Sequence, residues 1–312
     1  MKDIVLVTPE VATDESAATD AQPPSRLALA DGRVLAWQGY GDPAGRPLHV
    51  FHGFPASRLL ASLLHERARA AGVCLVAADR PGFGQSSPAP RRTILGWADD
   101  VVALADHLGH ERFGVLGISC GGAYALACAH AMPQRLSYVG LLAGMGPMDV
   151  PALRQAQLPP LKVLFCLARI HRLLASPILL ADALLFRANP RQAIDTLAKL
   201  LAGPDREVLA GDATVRSRFV ASFVEAYRQG IGGALTEAAL IARPRGFALA
   251  DIRVPVHVHQ GGLDRHVPPA MGRYLAQALP QGRLHFHPDE GHLSIVTRRF
   301  ADCLDEFKET AP

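Results

Sequence analysis

From residue 46 onward, short apolar runs rich in β-branched residues alternate with stretches whose apolar residues recur at helical spacing. That rhythm admits few folds, because strands buried on both faces and joined by crossover helices assemble into a parallel sheet. The runs are 48–51, 73–78, 113–118, 136–143, 256–260 and 283–287, most of them followed by a Gly or Pro loop. Two earlier runs, 26–30 and 33–40, flank Asp31-Gly32, a dipeptide that tolerates the positive φ of a tight hairpin turn. The sheet is therefore expected to open with an antiparallel pair. Residues 58–71 place Leu59, Leu60, Leu63, Leu64 and Ala68 on one helical face, and Thr93 is positioned to cap a helix carrying Ile94, Trp97, Val101, Leu104 and Leu108. The expected fold class is α/β: a mostly parallel, twisted sheet of about eight strands, flanked by helices.

Between residues 147 and 253 the alternation stops. Roughly a hundred residues of Leu- and Ala-rich helical pattern follow, broken by prolines at 151, 159, 160, 177, 190 and 204. This reads as a helical cap, 147–253, inserted into a core formed by 26–146 and 254–312. Residues 1–25, poor in large apolar side chains after the first few positions, read as a flexible tail. With 49% hydrophobic and 20% charged residues, the chain can bury a sizeable core. Its +3 net charge is spread without a basic run, which argues against a nucleic-acid partner. Five cysteines without CxxC pairing suggest neither a disulfide framework nor a four-thiolate zinc site, and fit a reducing, cytoplasmic compartment. The first residues lack a signal-peptide core, and the most apolar region, 158–186, is interrupted by Lys162, Arg169 and Arg172, so no membrane span is expected.

The strongest chemical signal is Gly117-Ile118-Ser119-Cys120-Gly121-Gly122, at the junction of an apolar run and the Ala-rich helical pattern 123–131. A serine on a sharp strand-to-helix turn needs flanking glycines, because side chains there would collide across the turn. The following helix directs its amides and positive dipole end at an anion forming beside the serine. A serine hydroxyl is a weak nucleophile and needs a base oriented by a third group. Asp264 in Gly262-Leu263-Asp264-Arg265 and His292 in Glu290-Gly291-His292 each follow a late apolar run, completing the chain order Ser119, Asp264, His292.

With these residues the chain resembles the alpha/beta hydrolase superfamily, specifically its cap-bearing serine hydrolases, over about residues 26–307. His52-Gly53-Phe54-Pro55 is similar to that superfamily's oxyanion-loop motif, and Asp79-Arg80-Pro81-Gly82-Phe83-Gly84 resembles its turn after the next strand. The resemblance implies Ser119 as nucleophile, His292 as general base and acid, and Asp264 as the carboxylate orienting the imidazole. It also implies the backbone amides of Phe54 and Cys120 as oxyanion donors, with His52 and Gly53 supporting the loop. Superfamily members with Asp at the elbow open epoxides or remove halides, so a serine there argues for neither. The implied reaction is ester hydrolysis of a small to medium, apolar small molecule, with no cofactor. Carbon–carbon hydrolysis of a ring-cleavage diketone, cofactor-free oxygenation, perhydrolysis, and low-turnover ligand sensing on the same fold stay open as alternatives.

Asp149 is the alternative acid, since some relatives place theirs after the equivalent strand. Cys120 reads as a small buried hydrophobe, because Ile118 stands where an elbow centred on it would need glycine. His257 and His259, and likewise His285 and His287, share strand faces in pairs, but neither strand adds a carboxylate or thiol, so no metal site is expected. Arg243, Arg245, Arg298 and Arg299 read as solvated charges. Met145, Met148, Phe165, Leu173, Leu174, Ile178 and Phe186 fit either an apolar pocket lining or cap packing. An exposed apolar cap would serve homodimerisation or substrate binding alike.

Overall fold

The computed structural model describes residues 23–310, so the tail expected at 1–25 lies outside them except for its last three positions, of which Ser25 begins the first strand. Eight strands form one sheet: β1 (Ser25–Ala28), β2 (Val34–Gly41), β3 (Arg46–Phe51), β4 (Val73–Ala78), β5 (Phe113–Ile118), β6 (Leu136–Leu142), β7 (Val256–Gly261) and β8 (Gly282–His287). Their order is β1-β2-β4-β3-β5-β6-β7-β8. The β1–β2 and β2–β4 pairs are antiparallel, and every later pair is parallel. Both faces of the central strands are covered: every residue of β5 is buried and apolar, and every residue of β7 is buried although it carries His257, His259 and Gln260.

Thr93 does not cap the helix Trp97–His107, which begins later than expected with Gly96 at its N-cap; its Oγ1 instead accepts from the Gly96 amide at 2.9 Å in the preceding turn. Residues 58–71 depart from the single helix expected of them. They form a 3₁₀ helix at Arg58–Leu64 that passes into an α-helix at His65–Ala70. Asp79 accepts from the Arg58 amide at 2.8 Å, and Ser62 Oγ donates to Leu59 O, which holds the first turn in its tighter form.

Seven α-helices between β6 and β7, from Pro151–Gln155 to Gly232–Ile241, form the long insertion among the described residues. The prolines that interrupt its pattern sit in first turns, where the missing N–H costs nothing: Pro151, Pro159, Pro177, Pro190 and Pro204 all occupy N1 or N2 positions. Among the described residues, no helix is long and apolar enough to cross a membrane.

Candidate active site

The candidate catalytic residues converge at the carboxyl ends of the parallel strands, the usual place for a site in an open α/β sheet. Ser119 links β5 to the helix Gly121–Ala131 with φ at +55°, a left-handed conformation that costs a non-glycine residue free energy. Glycine is required on either side of it. A Cβ on Gly121 would lie 2.1 Å from Phe51 O, and one on Gly117 would lie 2.6 Å from Gly121 O. Hydrogen bonds fix the turn: the Ser119 amide donates to Leu142 O at 3.0 Å, and its carbonyl accepts from the Met145 amide at 2.9 Å.

Asp264, past β7, and His292, past β8, are joined by a 2.8 Å contact between Oδ2 and Nδ1. The other oxygen, Oδ1, accepts from the amides of His266 and Val267, both at 2.8 Å, so the carboxylate has one orientation. Nδ1–H must donate to this acceptor, which leaves the lone pair on Nε2. Burial alone would lower the His292 pKa, but the charge and hydrogen bond of Asp264, with help from Asp205, raise it above the ordinary 6.5. An imidazole can act as a base only when neutral. The acid limb of kcat/KM is therefore expected above pH 6.5, with activity lost as pH falls through it. Asp264→Asn should move that limb to lower pH in the residual activity; a limb that stays in place would contradict the pairing.

Asp205, which sequence reading passed over, reaches from the insertion to the histidine loop. It is buried, and its carboxylate accepts from the amides of His292, Leu293 and Ser294, each at 2.9 Å. These are first-turn amides of the helix Ser294–Arg298 and the residues leading into it, so one side chain both caps the helix and positions the histidine.

Gly53 approaches Ser119 closely enough that a Cβ on it would lie 3.3 Å from the serine Cβ. Among the described residues, neither the Phe54 amide nor the Cys120 amide has an intramolecular acceptor. The loop is held from behind. His52 Nδ1 donates to Gly53 O at 2.9 Å, and its Nε2 accepts from the Arg80 amide at 3.2 Å. Both ring nitrogens are thus engaged, and burial together with the Arg80 charge holds the ring neutral, far below the ordinary pKa. Arg80, wholly buried, donates from Nη1 to His52 O and from Nη2 to Gly53 O. Its charge is met by Glu237 of the insertion, 2.9 Å away, which also binds Arg92 and accepts from Tyr124 OH at 2.7 Å.

Ser119, His292, Gly53 and Phe54 line one cavity of about 260 Å³, whose remaining wall is mostly aliphatic and aromatic side chains of the insertion. Ile178 and Phe186 belong to that wall. Met145, Met148 and Phe165 are instead packed in the core, and Leu173 and Leu174 are exposed. Asp182, which accepts from Tyr227 OH at 2.6 Å, and His266, stacked on His292 at 5.1 Å, add polar edges. Burial, with the neighbouring His292, lowers the His266 pKa to about 4. Asp149 lies elsewhere, its charge acting on Arg245. Arg245 is buried rather than solvated and donates to Met145 O. Burial, aided by the charge of Glu237, pushes the Cys120 thiol up to about 12, so it is no thiolate.

Residues 46–298 match the alpha/beta hydrolase fold family, and the chain belongs to it. Over 134 residues it is 37% identical to the dihydrolipoyllysine-residue acetyltransferase component of an acetoin cleaving system from Pseudomonas putida, a match covering 42% of this chain and 36% of that protein. The chain thus spans about a third of that relative's length. It is 28% identical over 265 residues to a poly(3-hydroxyalkanoate) depolymerase from Ectopseudomonas oleovorans, covering 83% of this chain and 82% of the other. A thermophilic esterase from Thermogutta terrifontis superposes with a TM-score of 0.66 at 22% identity, over 92% of this chain and 98% of that one, a likeness of fold.

Proposed function

We propose that the chain is a serine hydrolase of neutral, largely apolar carboxylic esters that works through an acyl-enzyme. The observation that carries the reading is a histidine oriented by a buried carboxylate, lining the same cavity as a serine in strained elbow geometry. Ser119 Oγ attacks the acyl carbon and passes its proton to Nε2 of His292, while Asp264 stabilises the imidazolium. Charge developing on the carbonyl oxygen is taken by the amides of Phe54 and Cys120 at the positive end of the helix Gly121–Ala131. His292 then returns the proton to the leaving alkoxide, the alcohol departs, and water releases the acid by the reverse sequence.

The cavity wall supports an ester over an anionic diketone. Among the described residues lining it there is no Lys or Arg to bind a carboxylate, and the Asp182 carboxyl group disfavours a negative substrate. Its volume lies near the lower bound of about 300 Å³ for ligand pockets, which favours a small to medium acyl group. Relatives named as an esterase and as a poly(3-hydroxyalkanoate) depolymerase support the same bond type. The test is labelling by a fluorophosphonate probe, followed by p-nitrophenyl esters of graded acyl length. Labelling of the wild type that disappears in Ser119→Ala and His292→Ala, with a rate maximum at short or medium chains, is expected. A folded wild type that does not label would overturn the reading in favour of a ligand-binding protein.

A further inference from the structure

Strand alternation places four histidines on one face of the β7–β8 edge, where His259 lies directly opposite His285 in the parallel register. Their rings form a ladder, stacked within 10° of one another at centroid separations of 4.5 to 5.5 Å. Neither strand carries a carboxylate toward this face, but the helix Phe300–Glu309 supplies Glu306. His257 Nδ1 lies 3.0 Å from Glu306 Oε2, His285 Nε2 lies 3.2 Å from Glu306 Oε1, and the two nitrogens lie 3.2 Å apart.

The two imidazoles can each donate to a different oxygen of the carboxylate, His257 Nδ1–H to Oε2 and His285 Nε2–H to Oε1, which leaves their own 3.2 Å N···N approach without a hydrogen bond. In the neighbouring pair every short approach is a hydrogen bond: His287 Nε2–H can donate to His259 Nδ1 at 3.2 Å, and His259 Nε2–H to Glu306 Oε2 at 3.0 Å. A cation at the first cluster would be met by both nitrogens and one carboxylate oxygen together. Tetrahedral zinc, with ligands at about 2.0–2.1 Å, separates its ligand atoms by roughly 3.3–3.4 Å, close to the 3.2 Å between the two nitrogens.

We propose that His257, His285 and Glu306 form a zinc site with two imidazole ligands, one carboxylate ligand and a fourth, solvent-facing position. The site would fasten the edge strand β8 to β7 and to the C-terminal helix. It has the access it needs, since the His285 side chain is 34% exposed while those of His257 and Glu306 are 10% and 15% exposed. Tyr138 OH, donating to Glu306 Oε2 at 2.9 Å, orients the carboxylate. Borderline nitrogen and oxygen donors in a three-ligand set suit zinc rather than calcium or magnesium.

The test uses the untagged full chain, stripped with chelator and titrated with zinc chloride by calorimetry, with cobalt(II) as a spectroscopic substitute. One equivalent of zinc, a visible cobalt band of tetrahedral intensity and a raised Tm are expected for the wild type. His285→Ala, at a partly exposed position, and Glu306→Gln should each weaken binding at least about 100-fold, beyond the tenfold to hundredfold typical of outer-shell changes. His287→Ala should bind as the wild type does. No stoichiometric binding by the wild type, or undiminished binding by His285→Ala, would overturn the proposal. Loss confined to His287→Ala would overturn it too, moving the ligands to the other end of the ladder.

Discussion

Ser119→Ala is expected to lower kcat/KM for the best ester by at least about 10⁴-fold, with the fold and Tm nearly unchanged. The substitution removes one oxygen from a cavity wall and leaves the flanking glycines, the positive φ and the turn hydrogen bonds in place. What disappears is the only proposed path to the acyl-enzyme. Residual acceleration would come from the oxyanion amides and the apolar cavity, which still bind the substrate and polarise its carbonyl. Because nucleophile and base act as one unit, adding His292→Ala to Ser119→Ala should cost little more, where independent contributions would multiply. Steady-state kinetics on the two single variants and the double variant distinguish these cases. More than a tenth of wild-type activity in Ser119→Ala would exclude the serine as nucleophile.

The second large effect is expected at Glu237. Glu237→Leu leaves Arg80 and Arg92 in the interior without their counter-charge, and removing one partner of a buried pair costs about 3–5 kcal/mol. For a chain of this size the loss should lower Tm by roughly 5–8 °C, measured by calorimetry or circular dichroism. It should also reach the chemistry. The Arg80 guanidinium grips the carbonyls of His52 and Gly53, so its displacement loosens the loop that presents the Phe54 amide. Losing one oxyanion donor costs about 10²- to 10³-fold in kcat. Glu237→Gln preserves shape and part of the hydrogen bonding, and should fall between the wild type and Glu237→Leu in both measurements. A Tm within 1–2 °C of the wild type in Glu237→Leu would mean that the two guanidinium groups are solvated by other means, contrary to their burial.

The difference between what the chain order displays and what only the fold reveals can be followed residue by residue. The strands were legible because burial on both faces demands unbroken apolar runs, as in Val73–Ala78. The candidate serine, aspartate and histidine stood out because each follows an expected strand in a short glycine-bearing segment, and the fold brings Asp264 and His292 into contact. Glu237 and Asp205 were not. They lie in ordinary helical pattern, 157 residues from Arg80 and 87 from His292, and nothing local distinguishes a carboxylate that will meet a buried arginine from one that will face water. Arg80 did carry a signal: a charged residue between an apolar strand and a glycine turn is out of place unless it is paired. Arg245 offered no such cue among its solvated neighbours. Glu306 escaped notice for a related reason, since the histidines sought a carboxylate within their own strands and found it on a helix about 20 residues beyond β8. The mixed 3₁₀ and α character of 58–71 depends on Asp79, again a tertiary partner.

The two carboxylates that the insertion sends into the core make the proposed catalytic apparatus a joint product of the insertion and the sheet. Asp205 holds the loop carrying the proposed base, and Glu237 neutralises the arginine behind the proposed oxyanion loop. Engineers who graft the substrate-binding half of one family member onto the catalytic half of another would therefore inherit a hidden dependency. A transplant with a well-shaped lining but no acids at these two places would produce a hybrid whose machinery is misassembled, whatever its pocket could hold.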